Sequence, residues 1–477
     1  MNDVLARLRA MQAGDLPTHG GRTLAYVYDA GLPEVDEVGR AAVAAYAGSN
    51  GLDPTAFPSL LQMENDLVGF ALGLLDGPDT AVGTVTSGGT ESVLLAVQAA
   101  RDAHPGVAEP RMVLPATAHA AFHKAAHYFG VEPVLVPVRA DFTADVAATE
   151  RAVDSARDRT VLVVASAPSY AHGVVDPVTE LAALAAARGI RCHVDACIGG
   201  WVLPYAARLG RPVPPWTFAV EGVTSISVDL HKYGYAPKGT SLLLHRTPEL
   251  RRPQFFASAA WPGYTMLNST MQSTKSGGPL AGAWAVVESL GDTGYELLSR
   301  EVFEAVDAIV AGTTDIEGVS VLVPPQSTLV ALVTDESCDA FTVCDEMAAR
   351  DWYVQPQMSY AGIQPTIHLS VSAATGRHVP ELLSALRDSV AAAQQTGPVT
   401  VDPDVVAFIE ALDPAALGDA DFDGLLAASG LVGADADGGL ALPDRMAEVN
   451  ALLDVAAPAM REALLVAFLD RLSRPNR

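Results

Sequence analysis

The chain has 477 residues, of which 49% are hydrophobic and 18% charged, so it can bury a dry core and is too apolar for a disordered protein. Its 56 acidic and 30 basic residues give a formal net charge of −26, which disfavours nucleic acid and anionic membrane surfaces as partners. It has no apolar run of the roughly 20 residues that span a bilayer, and its first residues lack a signal-peptide core. We therefore expect a globular cytoplasmic protein with no nucleic-acid partner and no membrane insertion.

The first part of the chain, residues 1–80, is predicted to form helices and loops with an aromatic patch at Tyr26 and Tyr28. It is rich in apolar and aromatic side chains but shows no sheet of its own, so it needs a surface to cover. We therefore expect a helical arm at the interface of a homodimer, because a closed two-fold contact would bury such a surface. The alternative is that this arm folds back onto its own chain.

Residues 81–313 alternate short β-rich runs with amphipathic helices, as in VGTVT before TESVLLAVQAARD. Uninterrupted apolar strands separated by helices predict a mostly parallel sheet covered on both faces, hence an α/β fold. Residues 314–398 repeat this pattern on a smaller scale and predict a second, C-terminal α/β domain. Residues 399–477 shift to Asp, Ala, Gly and Pro and predict an acidic insert followed by a closing amphipathic helix.

Lysine is rare in this chain, and its distribution indicates one site. Of the 30 basic residues only Lys124, Lys232, Lys238 and Lys275 are lysines. Arginine cannot lose its proton to become a nucleophilic amine, so a lysine retained against such a bias is a candidate for chemistry. The last three fall between residues 232 and 275. Lys124 is interpreted as a lysine that is present by chance and has no role in this site.

The segment GTVTSGGTES places Ser87, Gly88, Gly89 and Thr90 between a strand and a helix. Glycines there allow close approach to the backbone, and the N–H groups and dipole of a helix N-terminus favour an anion. The segment therefore predicts a phosphate cup. An ordinary turn with a helix N-cap is the alternative, and the lysine of a P-loop is absent.

An aspartate and a lysine follow the phosphate cup in chain order. Asp195 ends the apolar strand of HVDACIGGW, where a parallel sheet meets its ligands, although a capping role is the alternative. Lys232 lies just past a later strand, in SVDLHKYGYAPKG. Such a lysine suits an imine with pyridoxal 5′-phosphate, whose ring nitrogen the aspartate would keep protonated. Together the cup, Asp195 and Lys232 predict a pyridoxal-phosphate site.

Three histidines spaced four residues apart, His119, His123 and His127, share one face of a predicted helix. A metal site must be weighed, but no third type of ligand or zinc motif accompanies them, and the cysteine spacings also miss the usual zinc pairs. Stacking of the His119 imidazole on a pyridine ring is the favoured reading, with the other two at the surface. We therefore predict no metal.

At this point several long motifs resemble sphingosine-1-phosphate lyase, of the group II pyridoxal-phosphate-dependent decarboxylases. They are GTVTSGGTESVLLA, AHAAFHKAAHYFG, HGVVDPV, HVDACIGGW, DLHKYGYAPKGTSLLL and PTIHLSV, and the similarity runs from about residue 20 to 395. The resemblance implies the aspartate-aminotransferase fold (fold type I), with a large mostly parallel sheet domain and a smaller C-terminal α/β domain. It also implies a homodimer.

Site residues are carried over from the family by motif. The resemblance implies that Lys232 binds the cofactor covalently, that Asp195 partners the pyridine nitrogen and that His119 stacks on the ring. The remaining cofactor and substrate residues implied by the resemblance are Gly89, Thr90 and His231 at the phosphate, Ser166 at the phenolic oxygen, Tyr28 reaching the site from a partner subunit, and Lys238 near phosphate or substrate.

One departure from the family concerns an anion-binding position. Where the family usually has Gly-Ser-Arg-Pro-Gly-Gly, this chain has Ser-Thr-Lys-Ser-Gly-Gly over residues 273–278. Lys275 would then replace a bidentate arginine by a point charge at a position expected to contact substrate. The acidic segment at 400–440 matches no family feature.

Two reactions and one non-enzymatic role remain open. Retro-aldol cleavage would break the Cα–Cβ bond of a β-hydroxy amine such as a phosphorylated long-chain base, giving an aldehyde and an amine. α-Decarboxylation of an L-amino acid would use the same cofactor and break the bond to the carboxylate. The motifs VDACIGGW and HKYGYAPKG resemble those of the lyase branch more than those of aromatic or glutamate decarboxylases, and so favour the lyase reaction. A scaffold without turnover predicts loss of the cofactor residues, which are present.

Overall fold

A seven-stranded sheet organises the larger part of the chain in this computed structural model, which describes residues 2–428, 433–434, 440–441 and 443–475. The strand order is β1-β7-β6-β5-β4-β2-β3, and β7 alone runs antiparallel to its neighbours. The predicted mostly parallel sheet is confirmed. The strands are β1 Val82–Thr86, β2 Arg111–Pro115, β3 Glu132–Val136, β4 Thr160–Ser166, β5 Arg191–Asp195, β6 Ser225–Val228 and β7 Ser241–His245.

Helices cover both faces of this sheet, because the strands between them are buried apolar runs that need two covering layers. The helices up to the second sheet are α1 Asn2–Met11, α2 Pro33–Ala45, α3 Pro58–Leu74, α4 Gly89–Asp102, α5 Ala121–Phe129, α6 Val146–Asp154, α7 Val178–Ala187, α8 Leu203–Arg208, α9 Pro248–Arg251 and α10 Gly277–Thr313. Helix α10 kinks at Gly291, where φ is 56°. A short hairpin, β8 Phe256–Ser258 and β9 Met266–Asn268, precedes α10.

The N-terminal arm packs onto its own chain for most of its length, and the expectation that residues 1–80 lie at a dimer interface stays a prediction. Helix α2 packs along α10, and α3 packs on β1 and α10. The reason is that α3 carries apolar residues at helical spacing, and these join the core of the large sheet. Helix α1 exposes an apolar stripe formed by Val4, Leu5, Leu8 and Met11.

A four-stranded antiparallel sheet follows, in the order β10-β11-β13-β12, with its own core. The predicted second α/β region therefore exists, although the boundaries 314 and 398 stay a prediction. Its elements are β10 Val319–Val321, β11 Leu329–Thr334, α11 Ala340–Ala348, β12 Gln355–Gln357, β13 Thr366–Ser370 and α12 Val379–Thr396.

The C-terminal segment is more helical than predicted. Its helices bury a separate core that includes Ile409, Phe422 and Leu464, and Asp345 on α11 accepts the backbone N–H groups of Met446 and Ala447. The predicted acidic insert at 400–440 lies partly outside the described residues. None of the described helices is long and apolar enough to cross a membrane. The elements are α13 Pro403–Ala411, α14 Asp419–Ala428, β14 Gly433–Ala434, β15 Leu440–Ala441, α15 Ala447–Val455 and α16 Pro458–Leu472.

Candidate active site

A cavity of about 400 Å³ opens at the carboxyl edge of the large sheet. Strands β1, β4, β5 and β6 run in the same direction, so residues at their ends converge there. Most of the predicted site residues therefore meet in one place. The lining residues are Ser87, Gly88, Gly89, Thr90, Glu91, Val93, His119, Ser166, Pro168, Tyr170, Asp195, Cys197, Ile198, Asp229, His231 and Lys232.

The predicted phosphate cup forms between β1 and α4. Helix α4 begins at Gly89, so its first N–H groups lack intrahelical partners and face the cavity. A Cβ atom at Gly89 would lie 2.7 Å from the Asp229 carboxylate oxygens and 2.8 Å from Cys197 Sγ, so only glycine fits. The Glu91 carboxylate closes the cup from behind by accepting the N–H groups of Ser87 (2.6 Å) and Met271 (2.8 Å).

Asp195 and His119 lie in the same cavity. Asp195 is the last residue of β5 and is 8% exposed, and its Oδ1 accepts from the Cys197 N–H (3.1 Å) and the Ser227 hydroxyl (3.3 Å). The Nδ1 atom of His119 accepts the Ala121 N–H at 3.1 Å, which leaves Nε2 to carry the ring proton. Desolvation by the surrounding protein lowers the pKa of His119, so the imidazole is neutral and suited to stack on a ring.

Lys232 stands in the turn after β6 and pairs with an aspartate that sequence analysis did not single out. Its Nζ lies 2.9 Å from Oδ2 of Asp229, whose side chain is 2% exposed. Burial lowers the pKa of Lys232, but the negative charge of Asp229 outweighs it and the net shift is upward. Burial raises the pKa of Asp229, yet the charge of Lys232 brings it below its ordinary value. The two groups therefore form a buried ion pair.

Three further predicted cofactor residues line the cavity. Thr90 belongs to the first turn of α4, and Ser166 ends β4 at 2% exposure. His231 lies beside the cup, since a Cβ at Gly88 would come within 3.3 Å of its ring. Burial lowers the pKa of His231, and its Nδ1 accepts the Thr240 N–H at 3.3 Å. Its Nε2 is therefore free to donate toward an anion in the cup.

Tyr28 lies near the Lys232 of its own chain, which corrects the expectation that it arrives from a partner subunit. Its ring packs edge-on against Tyr233 at 5.0 Å between centroids. Burial raises its pKa, and the nearby charge of Lys232 opposes that shift. Backbone hydrogen bonds fix the segment, since the Leu24 N–H donates to the Tyr353 carbonyl at 2.8 Å and holds the arm on the second sheet.

Lys238 lies next to the cavity and not among its lining residues. Its Nζ donates to the carbonyls of Tyr26 (2.9 Å) and His231 (3.3 Å) and lies 5.0 Å from the Tyr28 ring centroid. Burial, followed by the charge of Lys232, lowers the pKa of Lys238 to about 8. Within this chain Lys238 therefore fastens Tyr26 and Tyr28 to the cofactor turn. Its predicted contact with phosphate or substrate stays a prediction.

Lys275 does not line this cavity, and its predicted contact with substrate stays a prediction. Its Nζ lies 2.6 Å from Oε2 of Glu64 and 3.1 Å from the Val85 carbonyl. Oε1 of Glu64 accepts the Val85 N–H at 2.8 Å. The ion pair of Lys275 and Glu64 therefore covers the free edge of β1 just before the phosphate cup. The charge of Lys275 is balanced by the Glu64 carboxylate.

Sequence analysis also missed Tyr170, Cys197 and Asp229. Each lies one to four residues beyond the end of β4, β5 or β6, and position past a strand end was the signal that could have found them. Tyr170 places its ring edge-on to His119, with centroids 6.4 Å apart, and donates its hydroxyl to Gln355. His123 and His127 are exposed, and among the described residues they form no group of potential metal ligands with His119.

The residues of the cavity fit pyridoxal phosphate. The glycine cradle at the start of α4 suits the phosphate, because an added Cβ at Gly89 has no room. Asp195, His119 and Lys232 offer a carboxylate, a flat neutral ring and an amine around one space. The Oδ1 atom of Asp229, buried and without a hydrogen-bond partner among the described residues, marks a site built for a further polar group.

Comparison with known proteins agrees with this geometry. A family model described as the pyridoxal-dependent decarboxylase conserved domain matches residues 40–332, and a model of a pyridoxal-dependent enzyme C-terminal HTH domain matches residues 403–471. A sphingosine-1-phosphate lyase of Oryza sativa is 37% identical over 399 residues, or 82% of this chain and 72% of that protein. One of Arabidopsis thaliana is 39% identical over 371 residues, or 75% of this chain. The chain spans 66% of the Arabidopsis protein's length.

A solved structure supports the same grouping. The sphingosine-1-phosphate lyase of Burkholderia pseudomallei K96243 superposes with a TM-score of 0.77 and 32% sequence identity, covering 83% of this chain and 91% of that one. The predicted fold type I architecture and the predicted cofactor, pyridoxal phosphate, are confirmed. The chain belongs to the pyridoxal-dependent decarboxylase family, as a member similar to its sphingosine-1-phosphate lyases.

Proposed function

We propose that the protein is a pyridoxal-phosphate-dependent carbon–carbon lyase. Its reaction is retro-aldol cleavage of a phosphorylated long-chain base, or a similar β-hydroxy amine, to an aldehyde and an amine. The observation that carries this proposal is the buried Lys232 amine, which shares one cavity with the glycine cup, Asp195 and His119. The similarity to sphingosine-1-phosphate lyases favours this reaction over decarboxylation.

The side chains of the cavity divide the work. When bound, pyridoxal phosphate supplies an electron sink for the pair released at the substrate's Cα. The N–H groups of Gly89 and Thr90, with His231 Nε2, hold the phosphate. Asp195 would keep a proton at the pyridine nitrogen, and His119 offers a flat neutral ring to the cofactor ring. Lys232 would supply the amine to which the cofactor attaches.

Tyr170 lines the cavity, and Tyr28 lies near the charge of Lys232. Burial raises the pKa values of Tyr28 and Tyr170, so both hydroxyls stay neutral at physiological pH. Because the Tyr170 hydroxyl donates to Gln355, its oxygen is left to accept a hydrogen bond from a polar substrate, whereas the Tyr28 hydroxyl can donate or accept. Tyr170 is fixed by Gln355 and Tyr28 by its packing on Tyr233, so both are preorganised.

Product analysis tests the proposal. Purified protein is incubated with a phosphorylated long-chain base and, separately, with a panel of L-amino acids. Release of a long-chain aldehyde supports the lyase. Release of carbon dioxide from an amino acid, without aldehyde, would assign the decarboxylase reaction instead. Lys232→Ala is the matched control, since contaminating activities survive that substitution and the protein's own activity does not.

We further propose that the active form is a homodimer. The hairpin β8–β9 lies just before the Met271 backbone that Glu91 ties to the phosphate cup. It exposes large apolar side chains: Phe256 55%, Trp261 43%, Tyr264 55% and Leu267 62%. Exposed apolar side chains of this kind are stabilised when a second copy of the chain covers them and removes them from water.

We also propose that the C-terminal unit binds no nucleic acid, although an HTH model matches it. Residues 403–471 contain 13 acidic and 3 basic residues, a net charge of −10. Recognition helices approach a polyanion, and a unit of this charge is repelled by it. A cytoplasmic location stays a prediction.

A further inference from the structure

The Asp229 carboxylate accepts fewer hydrogen bonds within the described chain than the other two carboxylates of the cavity, Glu91 and Asp195. Asp229 follows β6 directly and is 1% exposed. Its Oδ2 atom lies 2.9 Å from Lys232 Nζ, whereas Oδ1 accepts no hydrogen bond within the described chain. A buried carboxylate is costly without compensation, and the largest compensation here comes from the ammonium of Lys232.

No other group near Asp229 supplies a positive charge comparable to that of Lys232 among the described residues. His231 Nε2 is 3.7 Å from the same Oδ2, and burial lowers the pKa of His231, so it contributes little positive charge. Among the described residues, the titratable and charged groups that face Lys232 are Asp229 and His231 from its own turn, Tyr28 from the N-terminal segment, Tyr170 from the turn after β4, Cys197 from the turn after β5, His119 from the turn before α5, and Lys238 from the following turn.

An amine held as an ammonium is not yet a nucleophile. Attachment of a lysine to an aldehyde expels the aldehyde oxygen as water, and the amine must lose one proton before its lone pair attacks. Asp229 therefore opposes attachment. Asp229 also stabilises the free ammonium of Lys232 after a substrate amine has displaced the lysine, because the Asp229 carboxylate lies 2.9 Å from Nζ.

We propose that Asp229 is a positioning residue that holds the free amine of Lys232 as an ammonium and thereby sets the pH range in which this amine takes up the cofactor. Once a substrate amine has displaced Lys232, the lysine then stays protonated beside Asp229 and does not compete with the substrate amine for the cofactor.

The test is the pH dependence of cofactor uptake by the full-length apoprotein. Pyridoxal phosphate is added at saturating concentration, so that the measured rate follows attachment and not phosphate binding, and visible absorbance is recorded from pH 6 to 10. We expect Asp229→Asn to load about tenfold faster than wild type near pH 7.5, and to reach its plateau at least about one pH unit lower.

Asp158→Asn is the control, because it removes one carboxylate charge at an exposed position outside the cavity and does not touch the ion pair. Its uptake profile should keep the wild-type pH position. Profiles of Asp229→Asn and wild type that superimpose, or a shift to higher pH, would overturn the proposal and leave Asp229 as a residue that merely shapes the turn.

Thermal unfolding of the apoprotein gives a second readout that needs no cofactor. Lys232→Met leaves the buried carboxylate without its cation and should lower the unfolding midpoint, whereas adding Asp229→Asn to it should restore much of the loss. If Asp229→Asn alone does not fold but the double variant does, the proposal is supported. If the double variant is no more stable than Lys232→Met, or does not fold, the proposal is wrong.

Discussion

Asp195 and Asp229 are two carboxylates of the same cavity that differ in their hydrogen-bond and ion-pair partners. Asp195 accepts from the Cys197 N–H and the Ser227 hydroxyl, and it has no lysine beside it, unlike Asp229. Its position at the end of β5 is what sequence analysis used to pair it with the pyridine nitrogen. The same reasoning overlooked Asp229, because a carboxylate three residues before a lysine is easily taken for part of a turn.

Replacing Asp195 by asparagine should leave the cofactor bound but reduce turnover about 100-fold or more. An amide cannot hold a proton at the ring nitrogen, so the ring becomes a weaker electron sink for charge that develops in the transition state. Bound cofactor is measured by absorbance, and kcat by aldehyde release. An unchanged kcat would reduce Asp195 to a strand cap.

At the scale of elements, the apolar strands were predictable and the long-range pairings were not. Strands β4, β5 and β6 are buried runs whose composition alone indicates a two-sided sheet. The pairing of Lys275 with Glu64 joins residues 211 positions apart, so no local pattern predicts it. The fold of the N-terminal arm onto its own chain likewise depends on surfaces that exist only once α10 and the second sheet are formed.

The edge of β1 gives a prediction at this scale. Lys275→Met leaves the Glu64 carboxylate, whose side chain is 16% exposed, without its cation, and should cost on the order of 3 kcal/mol of stability. Adding Glu64→Gln should recover part of that loss. Thermal unfolding measures both, with the exposed Lys124→Met as a control that changes little. A Lys275→Met protein of normal stability but raised KM would contradict this stabilising role and support the predicted contact of Lys275 with substrate.

For the whole molecule, the homodimer is the first prediction. Light scattering on the active protein at low micromolar concentration should give about twice the chain mass of 49.7 kDa. The reason is the apolar surface of α1 and of the β8–β9 hairpin, which a monomer would leave in water. Trp261→Glu should weaken the dimer and lower activity together. A fully active monomer of about 50 kDa would contradict the prediction.

The acidic C-terminal unit gives the second prediction for the whole molecule. Fluorescence anisotropy of labelled duplex DNA should not change on adding the full-length protein, even at low salt where electrostatic binding is strongest, because charges of the same sign repel. Lysozyme, a basic protein, serves as a positive control for the assay. Salt-dependent binding would show that the −10 charge of residues 403–471 is offset locally.

The central claim is that the chain's chemistry takes place at Lys232. The most direct measurement is borohydride reduction of the cofactor-loaded protein, followed by peptide mass spectrometry. We predict that the reduced pyridoxal phosphate mass lies on the peptide that contains Lys232, and that Lys232→Ala loses both this mass and the visible absorbance while remaining folded. A label on Lys238 or Lys275, or one that persists in Lys232→Ala, would contradict the account.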